Sequence, residues 1–161
     1  MQAQVAYERL ISLLDADGAR YRIIDHAPEG RTELVSQLRG NRTSDAAKCI
    51  VLMLKFGKKV TKFILAVVPG DARVDLEEIK RIKVATYVRF ADAGVAETLA
   101  GSVSGTILPF AFDARLELIV DRAVAASSTM YFNAGRLDRS IALETEDYLR
   151  IANPQIADIA I

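Results

Sequence analysis

The sequence predicts a mixed α/β fold in a single domain spanning residues 1–161, with helices packed around a mixed β-sheet. Three observations carry that prediction. Ala47 to Phe56 and Val60 to Val68 are near-continuous apolar runs separated by Gly57-Lys58-Lys59, which reads as a hairpin. Strands this apolar are buried on both faces, so helices must cover both sides of the sheet they begin. Strand and helix patterns are interspersed along the chain, without repeat, low-complexity segment or linker, and its length suits one hydrophobic core.

Each element has a local reason. Ala3 to Ala16 reads as a helix, because Ala3, Tyr7, Leu10 and Leu14 fall on one stripe, and Gly18 is placed to end it. Tyr21 to His26 reads as a strand broken by Pro28 and Gly30. Thr32 is expected to cap a short helix that runs to Leu38 and stops at Gly40. After the hairpin, Pro69-Gly70-Asp71 ends the second strand, and Asp75 caps a helix from Leu76 to Ile82 with Glu78 three residues on. Thr86 to Phe90 is a short strand, and Asp92 to Ala100 a helix ended by Gly101. Leu116 to Asp121 is a strand. Thr129 to Asn133 and Ser140 to Glu144 are two more, joined by a turn at Ala134-Gly135-Arg136. Thr145 is expected to cap a helix that stops before Pro154, and the tail from Ile156 to Ile161 to pack back through Ile156, Ile159 and Ile161.

Composition excludes several functions. Cations and anions number 21 each, so the chain is no general polyanion binder and any nucleic-acid contact needs a local patch. The lone cysteine, Cys49, rules out an intrachain disulfide and fits a reducing compartment. The first helix is amphipathic with charges inside it and does not read as a secretory signal; the apolar runs fall short of a membrane span. The expectation is a cytoplasmic protein without membrane contact.

The residues exclude more chemistry than they offer. With one histidine, His26, and one cysteine there is no Cys/His zinc cluster, and any Ser-His-Asp site would have to use His26. Cys49 lies in an apolar strand, as a small buried hydrophobe would. No glycine-rich phosphate loop is present, so no nucleotide cofactor is expected, and no metal. Two features remain. Gly101 to Phe110 carries Gly101, Ser104, Gly105, Thr106 and Pro109, a loop able to aim backbone N–H groups at one point, as a developing ester oxyanion requires. Its plainer reading is a helix stop followed by a turn. Lys48 opens a buried strand, with its stem packed and its ammonium at an opening. It is either a snorkelling lysine or an anchor for phosphate or ribose. Lys55, Lys58, Lys59 and Lys62 make a basic hairpin, a solvated turn or a hold on a nucleic-acid backbone. Lys80, Arg81, Lys83 and Arg89 read as a solvated face.

An ordered set of motifs resembles a known family. The set is His26-x-Pro28, Ala46-Ala47-Lys48, Val67-Val68-Pro69-Gly70-Asp71, Gly101, Gly105-x-x-x-Pro109-Phe110, Val120-Asp121 and Asn133-Ala134-Gly135. It resembles the YbaK/ProX family of freestanding aminoacyl-tRNA deacylases, which are similar to the editing domain inserted in bacterial prolyl-tRNA synthetase. The resemblance covers nearly the whole chain. It implies one α/β domain with a curved mixed sheet and no cofactor. It also implies trans-editing, the hydrolysis of the ester joining a wrong amino acid to its tRNA, with tRNA-Pro or another tRNA bearing a small wrong amino acid as substrate. The implied partners are the acceptor end of aminoacylated tRNA and an aminoacyl-tRNA synthetase, and not DNA.

Carried over, Lys48 is the anchor, and Gly105 and Thr106 present N–H groups to the ester carbonyl. Ser104, Pro109, Asn133, Ala134, Gly135, Asp121 and His26 are the implied substrate-binding residues. Water and a hydroxyl of the terminal ribose complete the implied mechanism. An aminoacyl ester is already activated, so positioning and oxyanion stabilisation suffice without a strong protein nucleophile. The chain departs from the family at two places. The synthetase domain has histidine at the position of Asn133. Some freestanding members have Gly-Gly for Gly105-Thr106, and Ser-Gly-Gly for Asn133-Ala134-Gly135. Alanine, cysteine, serine and threonine therefore stay open as the amino acid. Two other readings compete: a non-catalytic module of this fold that binds tRNA ends or a synthetase, and a thiol-reactive protein centred on Cys49.

Overall fold

The structure, a computed structural model, describes residues 2–161. In chain order the elements are α1 (Gln2–Ala16), β1 (Tyr21–Asp25), α2 (Thr32–Arg39), β2 (Ala47–Phe56), β3 (Val60–Pro69), α3 (Leu76–Lys83), β4 (Tyr87–Phe90) and α4 (Ala93–Ala100). Then come β5 (Leu116–Asp121), α5 (Arg122–Ala126), β6 (Thr129–Arg136), β7 (Arg139–Glu144), α6 (Thr145–Ala152) and β8 (Gln155–Ala157).

The predicted hairpin is the spine. β2 and β3 pair antiparallel from Ala47–Pro69 to Phe56–Val60, and Gly57 takes the left-handed conformation at the turn (φ 68°). β4 adds antiparallel to β2, β5 parallel to β3, and β8 parallel to β5, giving the order β4-β2-β3-β5-β8. The mixed sheet is as expected, but β1, β7 and β6 form a separate antiparallel set. A single parallel bridge, Ala46 to Tyr131, joins the two sets at the base of the hairpin.

Period-2 alternation distributes β2 and β3 over three cores. Leu52, Leu54, Ile64 and Val68 face Ile79 of α3 and Ile159 of the tail. Val51 and Leu65 face Ala96 and Leu99 of α4. Ala47 and Val67 join Leu10 and Leu14 of α1, Phe132 and Ile141 of the smaller sheet, and Tyr148 of α6. Leu10 and Leu14 are fully buried, as the stripe on α1 requires, with Tyr7 partly buried beside them; the side chain of Ala3 lies outside the described residues.

Several local readings change. Asp75 caps α3 by accepting from Glu78 N, as expected. Thr32 and Thr145 instead lie inside their helices; the caps are Arg31 and Glu144, neither making a side-chain cap bond. Thr145 is buried and its hydroxyl meets Ser127 Oγ at 3.1 Å. β6 continues through Ala134-Gly135 to Arg136, and the turn falls on Leu137 and Asp138. Gly135 (φ 76°) makes a bulge between Asn133 and Arg136 rather than the turn itself. In the tail, Ile159 is buried, but Ile156 and Ile161 are exposed. No helix of the described residues is long and apolar enough to cross a membrane.

Candidate active site

At the base of the hairpin, where the two sheets meet, is a cavity of about 210 Å³ lined by Lys48, Gly105, Asn133, Gly30, Arg39 and Cys49, among others. Lys48 and Gly105, far apart in the chain, thus face one space. The cavity is below the ~300 Å³ lower end of pockets for drug-sized ligands, so it suits a small group such as an aminoacyl moiety.

Close backbone approach builds one wall. Gly105 has φ 86°, and a Cβ there would lie 3.0 Å from Gly30 Cα and 3.3 Å from Gly30 O. Glycine is required on both counts. Behind the wall, a Cβ on Gly70 would lie 2.5 Å from Thr43 O and 2.6 Å from Thr32 Cγ2. Gly70, directly after β3, therefore lets the start of α2 close over the cavity.

Asn133 ties this wall in place. Its Nδ2 donates to Gly105 O and to Glu29 O, both at 2.9 Å. Carbonyls only accept, so these two bonds use both amide protons and fix the amide's orientation. Oδ1 therefore faces Ser140 Oγ at 3.0 Å and accepts its proton. Ser140 Oγ also lies 2.6 Å from His26 Nε2 and 3.3 Å from Arg39 Nη1. With its own proton given to Asn133, the hydroxyl is left to accept, and the other ring nitrogen of His26, Nδ1, lies 2.9 Å from Ala27 O. The Gly105 carbonyl is thus anchored through a buried relay. The Gly105 N–H has no acceptor among the described residues.

Two cations meet the cavity. Lys48 Nζ donates to Ala72 O. Burial lowers its pKa from the usual 10.5, with Asp71 opposing. Arg39 reaches only hydroxyls, Ser140 at 3.3 Å and Ser36 at 3.5 Å, and its buried Nε has no partner among the described residues. Burial pushes its guanidinium down to about 10. Neither cation has a carboxylate at ion-pair distance among the described residues. Cys49, partly buried, lines the cavity as well, and burial raises its thiol far above the usual range, which disfavours the thiolate that the thiol-reactive reading needs. No acidic, histidine or cysteine cluster able to hold a metal occurs among the described residues.

The expected site residues therefore separate into two groups. Lys48, Gly105 and Asn133 come together at the cavity, and His26 reaches it through Ser140. The others have structural work. Thr106 donates through both N–H (3.0 Å) and hydroxyl (2.6 Å) to Val103 O, so its amide closes a turn and is not available to an ester carbonyl. Ser104 binds Glu97 through N and Oγ. Pro109 is buried, and its carbonyl accepts from Tyr148 Oη at 2.6 Å. Ala134 is a core residue. Gly135 makes room for α1, since a Cβ there would lie 2.9 Å from Ala6 Cβ. Asp121 is buried and binds Ala123 N, Ile159 N and Ala160 N, capping α5 and holding the tail. Ser140, Arg39 and Gly30 escape the sequence reading. Only Ser140 left a signal, because the β6–β7 hairpin pairs it with Asn133.

A family model described as an aminoacyl-tRNA editing domain matches residues 26–151. The chain belongs to that family. The multifunctional Ser/Thr-tRNA deacylase ProXp-y of Escherichia coli (strain K12) is 35% identical over 158 residues, covering 98% of this chain and 94% of that protein. The proline–tRNA ligase of Stenotrophomonas maltophilia (strain R551-3) is 34% identical over 142 residues, which are 86% of this chain and 24% of the ligase. Among solved structures, hypothetical protein APE2540 superposes with TM-score 0.84 at 21% identity, over 94% of this chain and 99% of that one. A candidate trans-editing enzyme for prolyl tRNA synthetase gives TM-score 0.79 at 19% identity, over 97% of both chains. These likenesses bear out the expected family, the mixed α/β fold and a hydrolytic enzyme of aminoacyl-tRNA editing.

Proposed function

We propose that the protein is a trans-editing deacylase that removes serine or threonine from mischarged tRNA, using the Gly105 amide, Lys48 and Arg39. The observation that carries this reading is the juxtaposition of Lys48 with the tied-back Gly105 loop across one small cavity. The ester carbonyl would point at the Gly105 N–H, which has no competing protein acceptor among the described residues. Water attacks the carbonyl carbon while the neighbouring ribose hydroxyl relays a proton, taking one from the water and handing its own to the ester oxygen. The tetrahedral intermediate carries its negative charge toward Gly105 and the two cations. The C–O ester bond then breaks, and the ribose oxygen leaves protonated. Free amino acid and intact tRNA are the products. One preorganised donor of this kind is worth about 3–4 kcal/mol.

The small, polar-rimmed cavity and the relative's name both support a hydroxyl amino acid over alanine or cysteine. Likeness to part of a proline–tRNA ligase supports proline tRNA as one carrier and a synthetase as the partner that hands it over, which would put the work with translation in the cytoplasm. The test is a panel of tRNAs charged with serine, threonine, alanine, cysteine and their correct amino acids, with Lys48→Ala alongside. Hydrolysis of the seryl or threonyl ester on a wrong tRNA, lost in Lys48→Ala while the fold persists, is expected. Binding of the whole panel without release of any amino acid would make the protein a non-catalytic module instead.

A further inference from the structure

Residues 46–70, which form β2, β3 and their flanks, contain five lysines and no Asp, Glu or Arg. The rest of the surface is different. Arg31, Arg81, Arg115 and Arg136 each pair with a carboxylate two or three residues away. None of the five hairpin lysines has such a partner among the described residues. The hairpin is therefore a local concentration of unneutralised charge on a chain with no net charge.

Its placement relative to the cavity is informative. Ala47 and Cys49, which line the cavity, share one face of β2 with Val51, Met53 and Lys55. On that face Met53 pairs with Arg89, and Lys55 pairs with Tyr87, which is half exposed. Lys58 and Lys59 follow at the tip. Lys62 pairs with Leu54 on the opposite face, over the Phe56 ring. From Lys48 to the end of β2 is about 27 Å, taking eight steps of about 3.4 Å.

We propose that the exposed, lysine-bearing tip of the β2–β3 hairpin, with the adjoining β4 edge at Tyr87, is the docking surface for the substrate's RNA. The acceptor-arm backbone would leave the cavity, cross the outside of α4, which covers Val51, and reach Tyr87, Lys55, Lys58 and Lys59. The proposal rests on the deacylase reading and extends it to how the tRNA is held. Lysines at a tip of this kind contact phosphates and fix register without reading sequence. Each such contact contributes a counterion-release term to the salt dependence. The cavity itself is too small to hold more than the terminal group, so affinity for the carrier must come from outside it.

The test compares Lys58→Glu/Lys59→Glu with Lys62→Glu, on the same hairpin but the opposite face, and with Lys55→Gln. Two esters are offered, a seryl-tRNA and a seryl ester of adenosine alone. For the double variant, kcat/KM on the tRNA should fall about 10- to 100-fold at 50 mM salt through KM, with a log–log salt slope shallower by about 2. Rates on the adenosine ester should not change, and Lys62→Glu should lose less than the double variant. Equal losses on both esters, equal effects from the two faces, or no loss on tRNA would overturn the proposal. Anisotropy with uncharged tRNA at 50 and 200 mM salt provides a readout independent of hydrolysis. If the wild type cleaves neither ester, the deacylase reading fails, and an undiminished tRNA affinity in the double variant would still refute the hairpin. Thermal melts identify any misfolding, in which case Lys58→Gln and Lys59→Gln singly replace the double variant.

Discussion

Replacing Ser140 with alanine tests whether the buried relay sets catalysis or only stability. The hydroxyl donates to Asn133 Oδ1 and accepts from His26 and Arg39, all inside the fold. Its loss leaves the Asn133 oxygen without a donor in a residue that is only 6% exposed. Such an orphaned group costs about 1–3 kcal/mol. For a chain of this size that corresponds to a fall in Tm of roughly 2–12 °C, at about 2–4 °C per kcal/mol. The rate carries the sharper prediction. Asn133 holds the Gly105 carbonyl at 2.9 Å, and a loosened Asn133 lets Gly105 swing about its φ and ψ, which misdirects its N–H in the preceding peptide. Loss of one aligned oxyanion donor costs about 10²–10³ in rate. Single-turnover deacylation with enzyme in excess isolates the chemical step from binding and release. His26→Gln, which keeps an N–H near the Nε2 position, should hold the rate within about fivefold and His26→Leu should not. Ser140→Ala and Asn133→Ala together should cost little more than either alone, because one relay is broken once. A Ser140→Ala protein with lowered Tm but an unchanged single-turnover rate would refute the positioning role.

Three further predictions concern neighbouring features. Arg39→Met removes a half-buried guanidinium that lacks a carboxylate and has a buried, orphaned Nε among the described residues. Replacing such a charge with an apolar side chain is commonly neutral or stabilising by about 1–4 kcal/mol, so urea unfolding should show no loss while deacylation falls at least tenfold. A clear loss of stability would mean that Arg39 is held for the fold. Gly105→Ala places a Cβ 3.0 Å from Gly30 Cα at φ 86°. The expected cost is about 1–3 kcal/mol by urea midpoint, together with loss of activity, and wild-type behaviour would show that the loop is not constrained as described. Asp147, bonded first by Arg20 and then by Arg150, is held well below its usual pKa of 3.8. Its contribution is fully present above that value and is lost as pH falls through the depressed folded one, so Asp147→Asn should lower neutral-pH stability and flatten the acid branch of the stability–pH curve.

The fold was legible where burial is two-sided. β2 and β3 announce themselves because core on both faces leaves no polar positions to interrupt the run. Residue types alone could not decide between turn and bulge at Ala134-Gly135-Arg136. A glycine with positive φ serves either, and the outcome depends on α1 lying against Gly135. The same holds for Thr32 and Thr145, which are good cap residues that instead lie one position inside their helices. The helix α5 was missed because its five residues carry no stripe; Asp121 starts it by accepting from Ala123 N.

The site was legible only in part, for a reason that belongs to its chemistry. Reactions run by main-chain dipoles leave no nucleophile in the sequence, so the reader must find loops that permit close approach. Yet Gly, Thr, Pro, Asn and Asp permit close approach and close ordinary turns by the same means. Gly105 and Thr106 are adjacent and alike on paper. The fold separates them by a single hydrogen bond, since the Thr106 N–H goes to Val103 O and the Gly105 N–H goes to no protein acceptor among the described residues. Asp121 and Asn133 are alike in the same way: both are buried and multiply bonded, but one ties down the tail and the other ties down the cavity wall. In such a site, function follows from which backbone group is left unpaired once its neighbours are satisfied. Ser140, absent from every motif, belongs to the site because it determines that remainder.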